Sequence, residues 1–64
     1  MPLGQMIKRL RTRRNLTQQE LARRAKVSQT YIAKLESGDR ETTSIAVLKR
    51  LAKALRVPVA KLLV

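Results

Sequence analysis

Cysteine and histidine are both absent from the 64 residues of this chain. Without cysteine there can be no disulfide, no iron–sulfur cluster and no thiolate zinc site, which often stabilise small domains. Catalysis by general acids, bases or triads usually depends on histidine, cysteine or paired carboxylates, and only four carboxylates are present. The only glycines, Gly4 and Gly38, cannot build a phosphate-cradling loop. We therefore expect no enzyme: no catalytic residue, metal site, cofactor or small-molecule ligand is predicted.

Aromatic residues and long apolar runs are scarce as well. Tyr31 is the single aromatic side chain, and no segment alternates apolar and polar residues for long, so strand signals are missing. The longest apolar run, residues 45–48, is far too short to span a membrane, and the N-terminal stretch lacks the apolar segment of a secretory signal. We expect one all-α domain over residues 1–64, located in the cytoplasm.

Positive charge, in contrast, is abundant. Fifteen Lys and Arg residues face four Asp and Glu residues, which gives a net charge of +11. Such an excess attracts polyanions over about a Debye length, so nucleic acid is the first candidate partner and an anionic membrane the second. One arginine cluster is interpreted as a solvated basic face that acts by long-range attraction: Arg13, Arg14, Arg23 and Arg24.

Apolar residues recur at helical spacing and predict five short helices. The first covers about residues 3–14, with Asn15 suited to a left-handed position after it. Thr17 and Glu20 form a capping box that starts a second helix, which runs to about Ala25.

The remaining helices follow the same logic of cap and apolar stripe. Ser28 caps the third helix, and Gly38 ends it. Thr43 or Ser44 caps the fourth, and Pro58 is placed in the first turn of a short fifth helix. The apolar stripe of the fourth helix consists of Ile45, Leu48, Leu51, Ala52 and Leu55.

Only residues 26–28 separate the second helix from the third. So short a connection makes the two helices cross steeply, as in a helix-turn-helix, whose second helix can enter a groove of DNA. On that helix, about residues 29–37, four side chains are left outside: Gln29, Thr30, Ala33 and Lys34. Gln and Lys can hydrogen-bond to adenine and guanine edges, and Thr can use its hydroxyl or touch a thymine methyl.

These features together resemble the Cro/repressor-type helix-turn-helix domain over nearly the whole chain. The resemblance is carried by LTQQELA, then VSQTYIAKLESG, then LKRLAKAL and VPVAKLL. It implies a compact five-helix, lambda-repressor-like fold with the helix-turn-helix formed by helices 2 and 3. It also implies a nucleoid-associated transcriptional regulator that binds double-stranded DNA specifically, as a homodimer on a near-palindromic operator.

The resemblance also assigns roles to individual positions. The residues expected to contact bases are Gln29, Thr30 and Lys34. The residues expected to contact phosphates are Thr17, Gln18, Arg40 and Thr43. Arg11 and Glu36 match a pair that joins the first helix to the end of the recognition helix. The expected dimer contact comprises Val57, Pro58, Val59, Leu62 and Leu63, with Val64 beside them, because one short helix cannot bury so many apolar residues.

The sequence departs from the family pattern in two places. Asn15, Lys26 and Arg56 stand where relatives usually carry Gly, so these helix ends either adopt another geometry or carry strain of about 1 kcal/mol each. Asp39 and Glu41 lie beside Arg40 and would repel phosphate, so Arg40 ranks below Gln18.

Several alternatives stay open at this point. A DNA-binding regulator of this kind could be a phage or bacterial repressor, a restriction-system controller or an antitoxin component. A protein-interaction or bridging module could use the same fold, although it would expose more apolar side chains. A cationic membrane-active peptide is disfavoured because the caps specify a folded domain. Tyr31 could lie in the core or reach a phosphate with its hydroxyl.

Overall fold

The structure, a computed structural model, describes residues 2–63, and Val64 therefore lies outside the described part. Its helices are α1 (Leu3–Arg13), α2 (Gln18–Ala25), α3 (Gln29–Ser37) and α4 (Ile45–Leu55), followed by a 3-10 helix (Val59–Leu62). The prediction of five helices is thus corrected to four α-helices and one 3-10 turn. The last segment is too short for α-helical bonding, and Pro58 precedes it as N-cap with its carbonyl accepting from the Lys61 N–H at 3.0 Å.

Side-chain caps start α2, α3 and α4. The Thr17 hydroxyl accepts from the Glu20 N–H at 3.0 Å, and the Glu20 carboxylate accepts from the Thr17 N–H at 2.8 Å, which completes the predicted capping box. The Ser28 hydroxyl accepts from the Tyr31 N–H, and Ser44 rather than Thr43 caps α4. Each bond satisfies a backbone N–H that has no partner within its own helix.

Residues with a left-handed backbone conformation follow the ends of the helices. Asn15, Lys26 and Arg56 have φ values of 57°, 60° and 58°, so of the two alternatives for these positions the strained geometry is the one adopted. Gly38 ends α3 with φ of 91°, as predicted. The three non-glycine residues cost about 1 kcal/mol each, somewhat less for Asn, but they allow the chain to reverse within very few residues.

The core lies where all four α-helices meet. Its largest fully buried side chains are Ile7, Leu21, Ile32, Leu35, Leu51 and Leu55. α2 packs against both α3 and α4, and α1 packs against α3. Ile45, the first residue of α4, is 65% exposed, so the apolar stripe of this helix is buried only from Leu48 onward. No helix within residues 2–63 is long and apolar enough to cross a bilayer.

A glycine makes the contact between α1 and α3 possible. Gly4 is buried, and a Cβ atom added to it would lie 1.8 Å from the carbonyl oxygen of Leu35. No side chain can be accommodated at that separation without moving one helix. The backbone of α1 therefore touches the last turn of α3 directly, which fixes α3 against the rest of the protein.

Candidate nucleic-acid interface

The outer face of α3 carries polar side chains that make no hydrogen bond to any other part of residues 2–63. Gln29, Thr30 and Lys34 are all exposed, and at 100° per residue they fall within a sector of about 140° on the helix. Ile32 and Leu35 occupy the opposite side, in the core. The helix therefore presents the amide, hydroxyl and ammonium groups outward on a fixed support.

An ion pair joins the end of α3 to α1. The guanidinium of Arg11 donates from Nε to Glu36 Oε2 at 2.7 Å and from Nη2 to Oε1 at 3.0 Å. Its Nη1 also donates to the carbonyl oxygen of Leu16 at 2.7 Å, at the entry to α2. The two side chains are 14% and 4% exposed, respectively. One arginine thus ties α1, α3 and the start of α2 together.

Gln18 belongs to the same network, which the sequence did not reveal. Its Nε2 donates to Glu36 Oε1 at 3.1 Å, so the carboxylate accepts three hydrogen bonds. A Gln amide has two N–H donors, and the second is left for a ligand. The network therefore holds the first residue of α2 at a fixed position relative to α3.

Thr17 and Glu20 shape the N-terminus of α2. The Thr17 hydroxyl oxygen accepts from the Glu20 N–H, and the same hydroxyl lies close enough to the Glu20 carboxylate to stabilise its charge. The hydrogen bond from the Thr17 backbone N–H, followed by the Thr17 hydroxyl and the charges of Arg24 and Arg23, lowers the pKa of Glu20. The carboxylate is therefore ionised at neutral pH and held at the helix start.

Tyr31 anchors the loop that follows α3. It is half-buried against the core, and its hydroxyl shares a hydrogen bond with the hydroxyl of Thr43. The guanidinium of Arg40 lies 4.7 Å from the centre of the Tyr31 ring, and the Arg40 N–H donates to the Lys34 carbonyl at 3.0 Å. Tyr31 thus combines core packing with a bond to the loop, whereas Arg40, Asp39 and Glu41 remain exposed.

Two arginines have structural roles that the sequence did not predict. Arg14 donates to the carbonyl oxygens of Leu55 and Arg56 at 3.1 and 3.3 Å, and Arg50 donates to that of Ala25 at 2.9 Å. The interpretation of Arg14 as part of a merely solvated basic face is therefore wrong. The Arg14 side chain donates to carbonyl groups at the end of α4 that have no hydrogen-bond partner within the helix.

The residues predicted for a dimer contact differ in exposure. Leu62 is only 2% exposed and lies in the core of its own chain, so it has almost no surface to offer a second copy. Val57 and Val59 are half-buried against that core. Pro58 is exposed, and Leu63 is 65% exposed.

The chemistry available across this surface is that of binding. Among residues 2–63, no three histidine, cysteine, aspartate or glutamate side chains come together as metal ligands. Across α3, the N-terminus of α2 and the loop 39–43, the surface carries hydrogen-bond donors and the cationic side chains of Lys34 and Arg40, with the carboxylates of Asp39 and Glu41 beside Arg40. Such groups can bind a polyanion that also carries hydrogen-bond acceptors.

Comparison with known proteins gives a consistent result. The family model described as Helix-turn-helix matches residues 7–62. The chain is 40% identical over 62 residues to an uncharacterised HTH-type transcriptional regulator, RghRB, of Bacillus subtilis, covering 97% of this chain and 45% of that protein. It is 42% identical over 60 residues to the immunity repressor protein of Bacillus phage phi105, covering 94% and 41%. The chain thus spans less than half the length of these curated relatives.

The fold also matches a protein solved with its ligand. SinR of Bacillus subtilis, a master regulator for biofilm formation determined in complex with DNA, superposes with a TM-score of 0.93 at 32% identity. The match covers 97% of this chain and 98% of the SinR chain. The arrangement of helices described above is therefore that of a known DNA-bound regulator.

Proposed function

The chain belongs to the Cro/repressor-type helix-turn-helix family, and from that premise we propose that it binds double-stranded DNA sequence-specifically as a transcriptional regulator of the repressor or controller type. The family is a non-enzymatic DNA-binding class. The observation that carries the proposal is the exposed polar face of α3, held by the Arg11–Glu36 pair and by the contact at Gly4. In this proposal residues 1–64 act as one DNA-binding domain in the cytoplasm.

Gln29, Thr30 and Lys34 are proposed to read bases in the major groove. Gln29 is the first residue of α3, and N-terminal residues of a recognition helix enter the groove most deeply. Its free amide can form a bidentate pair with adenine, and Lys34 can donate to guanine. This face of α3 carries no large apolar side chain, which favours DNA over a protein partner.

Thr17, Gln18, Arg40 and Thr43 are proposed to contact phosphates. Gln18 is the first residue of α2, so the second N–H of its amide, the N-terminus of α2 and the Thr17 hydroxyl are assigned to one phosphate. Thr43 and Arg40 are positioned by Tyr31 on the far side of α3. Phosphate contacts at both ends fix the register in which α3 meets the bases.

A homodimer on a near-palindromic operator is proposed as well. One recognition helix covers only a few base pairs, and a two-fold axis would set two helices about 34 Å apart, one DNA turn. The proposed contact uses Val57, Pro58, Val59 and Leu63, without the buried Leu62. The exposure of Leu63 supports this contact, although Ile45 is equally exposed, at 65%.

Two substitutions separate base reading from phosphate binding. Sites are selected from random duplexes, and binding of each variant is measured on the selected site and on single-base variants of it. Gln29→Ala should weaken the selected site by about 1–3 kcal/mol and relax discrimination at one position. Gln18→Ala should weaken all sequences about equally. A uniform loss for Gln29→Ala would contradict the assigned role of α3.

Sedimentation with and without the selected duplex tests the dimer. We expect two chains per duplex, and Leu63→Lys should abolish cooperative binding because it places a charge in an apolar contact. Ile45→Lys is the matched control, since it adds the same charge at an equally exposed residue. A strictly 1:1 complex would disprove the dimer, and a loss confined to Ile45→Lys would disprove its proposed location.

A further inference from the structure

A second concentration of positive charge includes no residue of α3 or of the loop 39–43. A first cleft of about 400 Å³ is lined by Arg13, Arg14, Leu16, Arg24, Ala54 and Arg56. A second, of about 220 Å³, is lined by Arg24, Lys26, Arg50, Lys53 and Ala54. The two clefts share Arg24 and Ala54, so they form one continuous surface, which we call the basic track. It gathers side chains from the end of α1, the end of α2 and the second half of α4.

The walls of the basic track are fixed by hydrogen bonds. Arg14 covers the carbonyl oxygens of Leu55 and Arg56, and Arg50 covers that of Ala25. These carbonyls lie at helix C-termini, where uncovered oxygens would repel an anion. With the carbonyls occupied, the track presents guanidinium and ammonium groups instead.

The remaining guanidinium groups of the basic track make few internal contacts, and among them Arg24 acts on Glu20, whose pKa its charge helps to lower. Within residues 2–63, the side chains of Arg13, Arg24 and Arg56 donate no hydrogen bond and pair with no carboxylate, and no acidic residue lines either cleft. Uncompensated charges so close together destabilise a fold through mutual repulsion. Such an arrangement is typical of a surface that binds a polyanion.

The lining of the basic track indicates which polyanion fits. Single-stranded nucleic acids are usually held by aromatic side chains that stack on bases, and the only aromatic residue of the chain, Tyr31, lies elsewhere. The track is also too poor in apolar side chains for an amphipathic peptide or a bilayer surface. Duplex DNA requires neither aromatic stacking nor apolar contact here, because its phosphates can bind guanidinium and ammonium groups directly.

We propose that the basic track binds the phosphate backbone of a second DNA duplex, without sequence preference, while α3 occupies the first. The contacts would be several guanidinium and ammonium groups on successive phosphates of one strand. A protein bound to its site could then bridge to another segment of DNA. The inference rests on the proposed function only in assigning the first duplex to α3.

A capture assay tests this bridging. Protein is loaded on immobilised duplex that carries the selected site, and capture of a labelled duplex without the site is measured at low salt. The track variant combines Arg13→Gln, Arg24→Gln and Arg56→Gln, sparing the structural Arg14 and Arg50. It should reduce capture about tenfold or more, and the slope of log capture affinity against log salt concentration should fall in magnitude by about 3. The affinity for the immobilised site should stay within about twofold.

The matched control removes three charges outside both clefts: Lys8→Gln, Arg9→Gln and Lys61→Gln. It should keep capture within about twofold of the unmodified protein if location rather than net charge matters. Equal loss in both variants, or unchanged capture in the track variant, would overturn the proposal. So would a parallel loss of affinity for the immobilised site, since the track would then contact the first duplex, or stronger competition by single-stranded than by duplex DNA. Loading on the selected site reports the proposed function separately.

Discussion

Removal of the Glu36 carboxylate should destabilise the protein more than the loss of any exposed charge. Glu36→Ala deletes three hydrogen bonds and leaves the guanidinium of Arg11, itself only 14% exposed, without its counter-charge. Breaking a buried pair from one side costs about 3–5 kcal/mol, and we take the lower end because Arg11 keeps some contact with water. For a domain of this size each kcal/mol shifts Tm by about 4–8 °C, so Tm should fall by about 20 °C.

Thermal unfolding followed by circular dichroism measures this effect directly. Glu41→Ala is the matched control: it removes an exposed carboxylate and should change stability by less than about 0.5 kcal/mol. The double variant Arg11→Met with Glu36→Leu should recover part of the loss, because no buried charge is then left unpaired. A loss below about 0.5 kcal/mol for Glu36→Gln would show that the pair behaves as an ordinary exposed one and would refute the reasoning.

Three further predictions concern the fold. Gly4→Ala should destabilise the protein by about 3 kcal/mol or prevent folding, because its Cβ would overlap the Leu35 carbonyl; Gln5→Ala at the neighbouring exposed position should unfold near the original Tm. Arg56→Gly should raise stability by about 0.5–1 kcal/mol by relieving positive φ, whereas Lys49→Gly inside α4 should lower it by about 1 kcal/mol; opposite signs would disprove strain at Arg56. The pKa of Glu20 is lowered in the folded state, so its ionised carboxylate stabilises the fold above the ordinary pKa, and this stabilisation is lost as pH falls through the lowered pKa. In Glu20→Gln the free energy of unfolding should therefore fall less steeply in acid than in the unmodified protein. Identical dependence of the free energy of unfolding on pH in the two proteins would contradict this prediction.

Local signals in the sequence predicted most of the helix boundaries. The capping box of Thr17 and Glu20, the Ser28 cap and the Gly38 end all depend on residues within four positions of one another. Such interactions can be recognised without the fold, since both partners lie in one short stretch of sequence. The count of five helices is not confirmed, because the four residues after Pro58 form a 3-10 turn, with Pro58 as its N-cap rather than a residue of its first turn.

The contacts that sequence reasoning missed join residues that are distant along the chain. Arg14 and Leu55 are separated by 41 positions, and Gln18 and Glu36 by 18. Nothing near Arg14 marks it as different from Arg13, because its partner is a backbone carbonyl that becomes available only where α4 ends. Gly4 was missed for the same reason, because the requirement for a residue without a Cβ atom arises only from the contact of α1 with α3.

Ile45 shows the limit of periodicity. Its spacing from Leu48 and Ala52 fits a buried stripe, yet it is 65% exposed because it is the first residue of α4, where no other helix covers it. Spacing predicts which face of a helix turns inward, but not how far along the helix the neighbouring elements reach. The pairing of Arg11 with Glu36, in contrast, was predicted from the family resemblance, and the two side chains do lie together.

The central claim, specific reading of duplex DNA by α3, is tested most directly by comparing a selected duplex with a scrambled one of the same composition. Affinity for both is measured at about 150 mM salt and across a salt series. We predict that the selected duplex binds about a thousandfold more tightly or better, and that the log–log slope of affinity against salt has a magnitude of about 5–10 for a dimer. Equal affinity for the two duplexes at that salt concentration would contradict the claim.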